Sequence, residues 1–437
     1  MMNEKSQVPE GYKKTELAAV PEEWEVCEFR NYLDIKSGKG FRMEEYSESG
    51  IKLLRIDNVS HGKIMWDTIA FLPNDYETEY PDLMLNEGDI LLALNRPITQ
   101  NKLKIAILKY TDIPAILYQR VGKITFNKNV DRLYVYYWLN QFLPTFILRK
   151  AVGSDQPFIN LTDLRNLTFF LPSEAEQQKI ASILSKVDEQ IEQTEQIIEK
   201  TETLKKGLMQ KLLTRGIGHT KFKNTVNSEV PYEWKIVKLG DKNCSKKITQ
   251  GPNPNYSLGL PSPHYRILKT KDLYDYEILY ENADKISKEI VDNFKNFILE
   301  DGDVLVAIVG RGSIGKSNIF KEQDNIVYLF TRALGIIRVN KEFLLPLYVH
   351  YFLQTPATKK ILNNGIAGST GQEVLQTSYI KNIKIPIPSL EEQQKIASIL
   401  SKVDSQIQDN QNYLTGLQEL KKGLMQDLLT GKVRVCI

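Results

Sequence analysis

The sequence predicts an α+β protein built from two duplicated mixed domains and two long helices. Three observations predict this fold class. The chain has 437 residues, whereas single hydrophobic cores stop growing near ~250–300 residues. The 13-residue segment EQQKIASILSKVD stands at 176–188 and again at 392–404. Each copy opens a stretch with a 3.5-residue hydrophobic repeat, and short β-rich runs precede it.

The duplication extends over the whole chain. VPEEWEV at 20–26 returns as VPYEWKI at 230–236, and LNEGDILLAL at 85–94 returns as LEDGDVLVAI at 299–308. LKKGLMQKLLT at 204–214 returns as LKKGLMQDLLT at 420–430. Between these landmarks the halves diverge almost completely. Because solenoid repeats are numerous and only 20–50 residues long, we interpret the pattern as one scaffold, duplicated once, that carries two different inserts.

We place four segments along the chain. A first mixed domain covers 1–172, a first long helix 173–216, a second mixed domain 217–388, and a second long helix with a C-terminal tail 389–437. The domains are predicted from short β-rich runs such as GDILLAL and GDVLVAIVG, each followed by an apolar helical stretch. Runs of strands broken by single helices favour an α+β domain over a doubly wound parallel sheet.

Each long helix is predicted from residues spaced alternately four and three apart, which is typical of a coiled-coil seam. The seam positions are Ile180, Leu184, Val187, Ile191, Thr194, Ile198, Thr201, Lys205, Leu208 and Leu212, then Ile396, Leu400, Val403, Ile407, Asn410, Leu414, Leu417, Lys421, Leu424 and Leu428. Capping-box spacing at 173–176 and 389–392 predicts the helix starts, and Gly216 and Gly431 stand where the helices should end.

The two helices are expected to pair with each other in antiparallel fashion, as a coiled coil related by a pseudo-two-fold axis. A single helix of this kind would leave its apolar stripe in water, and the intervening domain returns the chain for an antiparallel partner. The polar seam positions Thr194, Asn410, Lys205 and Lys421 could set the register. The alternative is that each helix packs on its own globular domain.

Composition excludes several classes of protein. No run of ~18 apolar residues is present, which argues against a membrane span. The three cysteines contain no CxxC pair and the four histidines no HExxH motif, so the sequence predicts no metal site, and a reducing cytoplasm suits the chain. The net charge of +3 is compatible with nucleic acid but does not require it.

One catalytic motif deserves testing. Residues Gly310–Ser317 fit the phosphate-loop pattern G-x-x-x-x-G-K-S after a strand-like run. Such a loop should open a helix, yet a β-rich segment follows it closely, and the first half has no glycines at the corresponding place. Nucleotide binding through this loop is therefore the alternative function. No other enzyme motif is found, and no cofactor is expected.

The divergent inserts carry basic and polar stretches suited to phosphates and base edges. Residues 95–110, 242–271 and 305–321 each contain several lysines and arginines and no acidic residue. The candidates after the GDIL and GDVL strands are Asn95, Arg96, Thr99, Gln100 and Lys102, and then Arg311, Ser313, Lys316 and Ser317. Second choices are Arg55, Asp57 and Asn58, and then Arg266, Lys269 and Lys271. Arg120 and Arg332 occupy matching positions, which indicates a shared structural or backbone role.

The chain resembles the specificity subunit of Type I restriction–modification systems over its whole length. The resemblance is carried by VPEEWEV and VPYEWKI, the GDIL and GDVL strands, and the RGSIGK loop. It is completed by the paired EQQKIASILSKVD helix starts, the LKKGLMQ helix ends and the terminal LLTGKVRV. These motifs occur twice, in order, at the expected spacing.

The resemblance implies a non-catalytic subunit with two target-recognition domains at opposite ends of the helix pair. Each domain would read one half of a bipartite DNA target. The gap would be set by helices of about 40 residues, or ~60 Å. The implied partners are two methyltransferase subunits, which use S-adenosylmethionine, and restriction endonuclease subunits. A remaining alternative is a pure scaffold whose inserts bind proteins.

Overall fold

The computed structural model describes residues 8–150, 158–225, 229–274, 276–310, 312–367 and 373–437. The strands of the first half are β1 (Tyr12–Lys14), β2 (Ala19–Pro21), β3 (Glu25–Glu28), β4 (Leu33–Ser37), β5 (Ile51–Leu54), β6 (Phe71–Leu72), β7 (Met84–Leu85), β8 (Ile90–Ala93), β9 (Ile98–Thr99), β10 (Lys102–Leu103), β11 (Ile105–Ile107), β12 (Ala115–Leu117), β13 (Val121–Phe126) and β14 (Thr168–Leu171). Its helices are α1 (Tyr76–Glu79), α2 (Arg132–Lys150), α3 (Leu161–Arg165) and α4 (Glu174–Arg215).

The second half repeats the main elements of this order, with differences in the short strands and helices. Its strands are β15 (Phe222–Asn224), β16 (Glu229–Pro231), β17 (Lys235–Lys238), β18 (Ser245–Gln250), β19 (Ser262–Leu268), β20 (Asp284–Ile286), β21 (Val304–Ala307), β22 (Ser317–Ile319), β23 (Val327–Phe330), β24 (Leu334–Val339), β25 (Ile366–Ala367), β26 (Val374–Leu375) and β27 (Lys384–Ile387). Its helices are α5 (Lys288–Asn293), α6 (Pro346–Gln354), α7 (Pro356–Asn364), α8 (Thr377–Asn382) and α9 (Leu390–Leu429).

The two mixed domains build the same sheets from dissimilar sequences. One sheet has the strand order β11–β8–β13–β4 in the first domain and β22–β21–β24–β18 in the second. The next sheet has the order β6–β5–β12–β7, matched by β20–β19–β23. In both domains the pair at its centre, β5 with β12 and β19 with β23, is parallel. The fold is α+β, as predicted, and the duplication includes the divergent inserts.

The chain divides into two units, each with its own hydrophobic core. Unit 1 comprises Met1–Gln193 with Leu414–Ile437, and unit 2 comprises Thr194–Tyr413. The division therefore cuts both α4 and α9, whereas the sequence-based bounds kept each helix as a separate segment. In unit 1 the end of α9 adds Leu428 and Leu429 to the core of the first domain. In unit 2 the end of α4 does the same with Leu212 and Leu213.

The predicted starts and ends of the long helices are confirmed. The Glu176 N–H donates to Ser173 Oγ (3.3 Å), and the Glu392 N–H donates to Ser389 Oγ (3.2 Å). At the other ends Gly216 (φ 61°) and Gly431 (φ 69°) adopt the left-handed conformation that terminates helices. All twenty predicted seam positions are buried or half-buried.

The two helices pack together, as predicted. In unit 2 the Lys205 ammonium of α4 lies 2.6 Å from Asp404 of α9. In unit 1 Lys421 of α9 lies 2.6 Å from Asp188 of α4. The two ion pairs are related by the internal duplication, because each aspartate and each lysine has its counterpart 216 residues away. A tyrosine of the adjoining domain donates to each aspartate at 2.8 Å, Tyr351 to Asp404 and Tyr137 to Asp188.

One predicted helical stretch differs from expectation. In the second domain the apolar segment after β24 forms two helices, α6 and α7, that meet at Thr355. The Thr355 hydroxyl accepts the Thr358 N–H (3.3 Å) and so caps α7. Pro356 occupies the first turn of α7, where its missing N–H costs no hydrogen bond.

Candidate nucleic-acid interface

In the first domain the sheet register gathers four loops at one edge. Ser37 at the end of β4 lies opposite Gly122, and Ala93 at the end of β8 lies opposite Val121. The parallel strands β5 and β12 also end together, with Leu54 beside Leu117. The loops attached to these strand ends therefore lie side by side at one edge of the domain. We call them the first loop edge, which comprises residues 38–50, 55–58, 94–104 and 118–120.

The second domain forms the same edge. Gln250 at the end of β18 lies opposite Gly335, and Ala307 at the end of β21 lies opposite Leu334. Leu268 at the end of β19 lies beside Phe330. The second loop edge comprises residues 251–261, 269–272, 308–310, 312–316 and 331–333. The topology thus brings most of the sequence-predicted residues of each domain to one edge, although they are far apart in sequence.

The hairpin β9–β10 presents the best candidates of the first domain. Thr99 pairs with Lys102 across a two-residue turn in which Gln100 (φ 52°) and Asn101 (φ 59°) are both left-handed, a geometry that matches the twist of paired strands. Arg96, Thr99, Gln100 and Lys102 are exposed there, whereas Asn95 is half-buried and its backbone bridges to Phe158.

His61 joins this hairpin without any indication in the sequence. Its Nε2 lies 3.0 Å from Thr99 Oγ1. Burial lowers the pKa of His61, and the charges of Lys102 and Lys104 lower it further. The imidazole is therefore neutral near pH 7 and can both donate and accept a hydrogen bond. The backbone bridge between His61 and Ile105 that places it there joins segments over 40 residues apart.

The prediction for Asn58 requires a correction, whereas Arg55 stays a candidate. Asn58 is buried, its side-chain oxygen accepts the Arg55 N–H (2.9 Å), and its amide donates to the carbonyls of Met65 and Thr68. Arg55 is half-buried and donates to Thr68 Oγ1 (3.2 Å). Asn58 therefore shapes its loop and is not available to DNA. Asp57 is exposed beside it.

The glycine loop of the second domain is not a phosphate loop. It leads into strand β22, where Ser317 pairs with Val306, and not into a helix whose N-terminus could hold a phosphate. Ser317 is 4% exposed and its Oγ lies 3.2 Å from His350 Nδ1. The nucleotide-binding alternative is therefore wrong, and Ser317 is also withdrawn as a DNA contact. Ser313 is half-buried and Lys316 exposed on the second loop edge, whereas Arg311 lies outside the described residues.

The remaining second-domain candidates have acidic or carbonyl partners that the sequence did not reveal. Lys269 and Lys271 both pair with Asp284 on β20, and the hydrogen bond from Lys269 lowers the pKa of Asp284. Arg266 donates to the carbonyls of Glu281 and Ala283, each at 3.2 Å. Arg266 is thus a structural residue, and the positive charge at this edge is smaller than the sequence predicted.

Several exposed residues of the loop edges were missed or placed differently. Arg120 and Arg332 stand exposed in the turns before β13 and β24, near the middle of each edge. The loop after β4 adds Lys39 and Arg42, and its copy after β18 ends in the exposed Leu260. The sequence identified the two arginines as equivalent positions of the two halves. It did not identify the two loops as equivalent, since they share no recognisable motif.

The described part of the chain contains neither a metal-binding cluster nor a helix that could span a membrane. No group of three or more His, Cys, Asp or Glu side chains is placed to hold a metal ion there. Within the same residues, no helix combines the length and the apolar character that a bilayer crossing needs.

Comparison with known proteins adds family and fold. A family model described as the Type I restriction modification DNA specificity domain matches residues 21–203 and 231–419. The chain is 30% identical over 441 residues to the putative type I restriction enzyme MjaX specificity subunit of Methanocaldococcus jannaschii, covering 98% of this chain and 97% of that protein. The MjaVIII specificity subunit of the same organism is 44% identical over 205 residues, covering 46% of this chain and about half, 48%, of that protein.

Two solved structures share the fold at low sequence identity. The Type-I restriction-modification system S subunit from M. genitalium aligns with a TM-score of 0.58 at 15% identity, covering 95% of this chain and 97% of that one. A chain from a structural study of complex assembly and conformational transition of the type I R-M system aligns with a TM-score of 0.53 at 18% identity, covering 95% of this chain and 99% of that one.

Proposed function

The chain belongs to the Type I restriction–modification DNA specificity family, and we propose that it reads a bipartite double-stranded DNA target, one half-site at each loop edge. It is a specificity subunit and not an enzyme; methylation and cleavage belong to other subunits of the system. The observation that carries the proposal is the contrast between conserved topology and divergent loops. Both domains keep one strand order while the residues at their loop edges differ almost completely.

The chemistry of the loop edges supports DNA as the ligand. Exposed Arg96, Gln100 and Lys102 in the first domain are of the types that bind phosphates and base edges. Lys316 and Arg332 are exposed at the second edge. Two edges of different composition would read two different half-sites. α4 and α9 each contribute to both units, and we assign the gap between the half-sites to them.

We further propose that the paired helices dock two methyltransferase subunits, one for each copy of the scaffold. This proposal is supported by glycines that recur at the same position of both helices, where packing within the chain does not require them. Gly207 and Gly423 stand inside α4 and α9 at matched positions, both exposed, and a Cβ at either would meet nothing within 4 Å. A glycine inside a helix costs about 1 kcal/mol relative to alanine. A partner that approaches the helix backbone closely would explain why both copies carry it.

Exposed apolar side chains accompany these glycines. Leu204 is 55% exposed and its copy Leu420 is 50% exposed, while Ile197 and its counterpart Tyr413 are 45% and 53% exposed. Each helix therefore presents a short apolar stripe to solvent beside its glycine. Stripes of this kind fit the apolar centre of a protein interface. Restriction endonuclease subunits would join the assembly through the methyltransferases, as the family resemblance implies.

The test is to map methylated adenines in cells that express this chain with its cognate methyltransferase. We expect one bipartite motif with a constant gap. Replacing residues 25–172 by the corresponding segment of another family member should change only one half of the motif, and replacing 235–388, the matched control, should change only the other half. A change in both halves after either exchange would contradict one half-site per domain.

A second measurement separates DNA reading from a pure protein scaffold. The assembled complex should bind its mapped duplex more tightly than a scrambled duplex, and both affinities should fall steeply with salt, because lysines and arginines that bind phosphates release counterions. Equal affinity for both duplexes would favour the scaffold.

A further inference from the structure

The two most exposed large apolar side chains among the described residues are Leu260 (87%) and Met43 (83%). Single apolar residues on a surface need no explanation by themselves. These two, however, lie in equivalent loops of the two domains. Met43 lies in the loop between β4 and β5, and Leu260 lies in its copy between β18 and β19. Both loops belong to the loop edges, although their sequences have nothing in common.

The first of these loops is rigidly anchored. A Cβ on Gly38 would lie 2.2 Å from the Leu117 carbonyl oxygen, so the loop leaves its strand against the backbone of β12. Phe41, two residues before Met43, is 4% exposed and packs on Tyr80 with a centroid distance of 5.5 Å. The Arg42 N–H donates to Glu45 Oε2 (2.6 Å) and closes a tight turn. Met43 therefore projects from a fixed base.

The second loop is anchored by different residues at matching points. A Cβ on Gly251 would lie 2.4 Å from the Thr331 carbonyl oxygen. The buried Ser287 hydroxyl donates to the Leu258 carbonyl. Gly259 (φ 71°) sits so close to α5 that a Cβ would lie 2.2 Å from Glu289 Oε2. Leu260, the next residue, again projects from a fixed base.

Building on the proposed DNA-reading function, we propose that Met43 and Leu260 are wedges that enter the base stack of the half-site bound by their own domain and partly unstack one base step. Neither side chain can donate or accept a conventional hydrogen bond, so neither reads a base edge in that way. Met and Leu are among the residues that DNA-bending proteins insert between base pairs. Because both loops are held in place before binding, little ordering entropy is lost on insertion.

The surroundings favour DNA over a protein partner. Met43 follows the exposed cations Lys39 and Arg42 and precedes the exposed Glu44. In the second loop the Lys269 ammonium lies 5.1 Å from the ring of Tyr256. A protein interface needs a contiguous apolar centre from which charge is depleted. In the first loop a single apolar tip next to Lys39 and Arg42 matches a duplex, where the phosphates bind the cations and the base stack receives the tip.

The experiment uses the assembled complex of this chain with its methyltransferase and duplexes that carry the mapped target with 2-aminopurine at successive steps. We expect binding to raise fluorescence at one step in each half-site. Met43→Ala should abolish the rise in one half-site only, and Leu260→Ala in the other. Each variant should bind the duplex about tenfold more weakly, a loss similar in size to that caused by one wrong base pair in a specific site. A mismatch placed at the unstacked base step should restore the binding of the variant.

Tyr110→Ala is the matched control for an exposed apolar side chain. Tyr110 is 72% exposed and follows β11, at the sheet edge opposite the first loop edge, so its removal should change neither fluorescence nor affinity. Unchanged fluorescence and affinity in Met43→Ala and Leu260→Ala would overturn the wedge. An affinity loss that a mismatch fails to restore would also overturn it, in favour of an ordinary surface contact. Wild-type binding without sequence preference would instead overturn the proposed function itself.

Discussion

The starts of the two long helices are held by different side chains, an arginine in one unit and a histidine in the other. In unit 1 Arg434 donates to both oxygens of Glu176, at 2.7 and 2.9 Å. In unit 2 the His219 imidazole lies 3.0 Å from Glu392, which also accepts the indole N–H of Trp234 (3.1 Å). Unlike Trp234, the Trp24 indole N–H has no hydrogen-bond partner among the described residues. The position therefore requires a donor to the carboxylate and not one particular side chain.

The cores beside these helices have diverged further. In the first domain Phe170 packs on Phe142 and Trp138, with centroid distances of 5.0 and 5.5 Å. In the second domain Pro386 and Phe352, the counterparts of Phe170 and Trp138, line an open groove of about 810 Å³. The duplicated scaffold thus tolerates large changes in side-chain volume where only packing is at stake, while the ion pairs between α4 and α9 are kept.

The largest expected effect comes from breaking the more buried of the two equivalent ion pairs. The side chains of Lys205 and Asp404 are 10% and 17% exposed, against 26% and 33% for Lys421 and Asp188. Lys205→Ala should cost about 3–5 kcal/mol of unfolding free energy, because it leaves a buried carboxylate unpaired. Lys421→Ala should cost about 1 kcal/mol, since its pair is more hydrated. Urea unfolding of both variants checks this; equal losses would contradict the role given to burial.

A second comparison concerns the glycines that open the two loops. Gly38→Ala and Gly251→Ala should each destabilise the protein by about 1–3 kcal/mol, the usual cost of overpacking, because the new methyl would lie within 2.5 Å of a carbonyl oxygen. Methylation mapping should show the defect in a different half-site for each variant. Gly88→Ala provides a contrast, since a Cβ there meets no neighbour and only its left-handed φ of 82° is strained.

A third comparison concerns acid. Burial lowers the pKa of His350 to about 3, and the charge of Lys205 contributes to the shift; Tyr136 fills the matching position in the first half. Because the pKa of His350 is lower in the folded protein than in the unfolded protein, the neutral imidazole stabilises the fold. This contribution is fully present above the pKa of about 6.5 in the unfolded protein, and it is lost as the pH falls toward the pKa in the folded protein. Between pH 7.5 and pH 5 this group should remove about 2 kcal/mol of unfolding free energy. Urea unfolding at both pH values measures the loss, and His350→Gln should reduce it; an unchanged loss would exclude His350 as its source.

The smallest expected effect comes from the exposed helix glycines, whose replacement should increase stability but weaken assembly. Gly207→Ala and Gly423→Ala should each raise the unfolding free energy of the free chain by about 0.5–1 kcal/mol, because alanine is the better helix former. The same variants should weaken assembly with the methyltransferase, which analytical ultracentrifugation can measure. Stabilised variants that assemble normally would remove the glycines from the docking surface.

The sequence predicted the helices well because the duplication displays each pattern twice. A seam position such as Lys205 is unusual on its own, but its copy Lys421 identifies both as deliberate polar positions, and both form ion pairs between the helices. The use of Ser173 and Ser389 as caps was predicted on the same basis. The pairing of α4 with α9 was predicted because each helix has an apolar stripe that must be buried against a partner.

The loop edges were only partly predictable, since contacts between strands decide them. Asp284 neutralises Lys269 and Lys271 from a neighbouring strand, and counting charges along the chain cannot reveal this. Thr99 and Gln100 were proposed because a basic, polar stretch follows a strand, whereas His61 reaches Thr99 only through the fold. Met43 and Leu260 have no sequence pattern at all; only the shared topology shows that their loops are equivalent.

The composition of unit 1 has a consequence for synthesis on the ribosome. Its core includes Leu428 and Leu429 together with Trp24 from near the beginning of the chain, and all of unit 2 is translated in between. At ~5–20 residues per second, the early part waits roughly ten to forty seconds for the last turns of α9. During that interval the surface that those leucines cover has no native partner within the nascent polypeptide, so chaperone engagement should concentrate on the earlier-made unit.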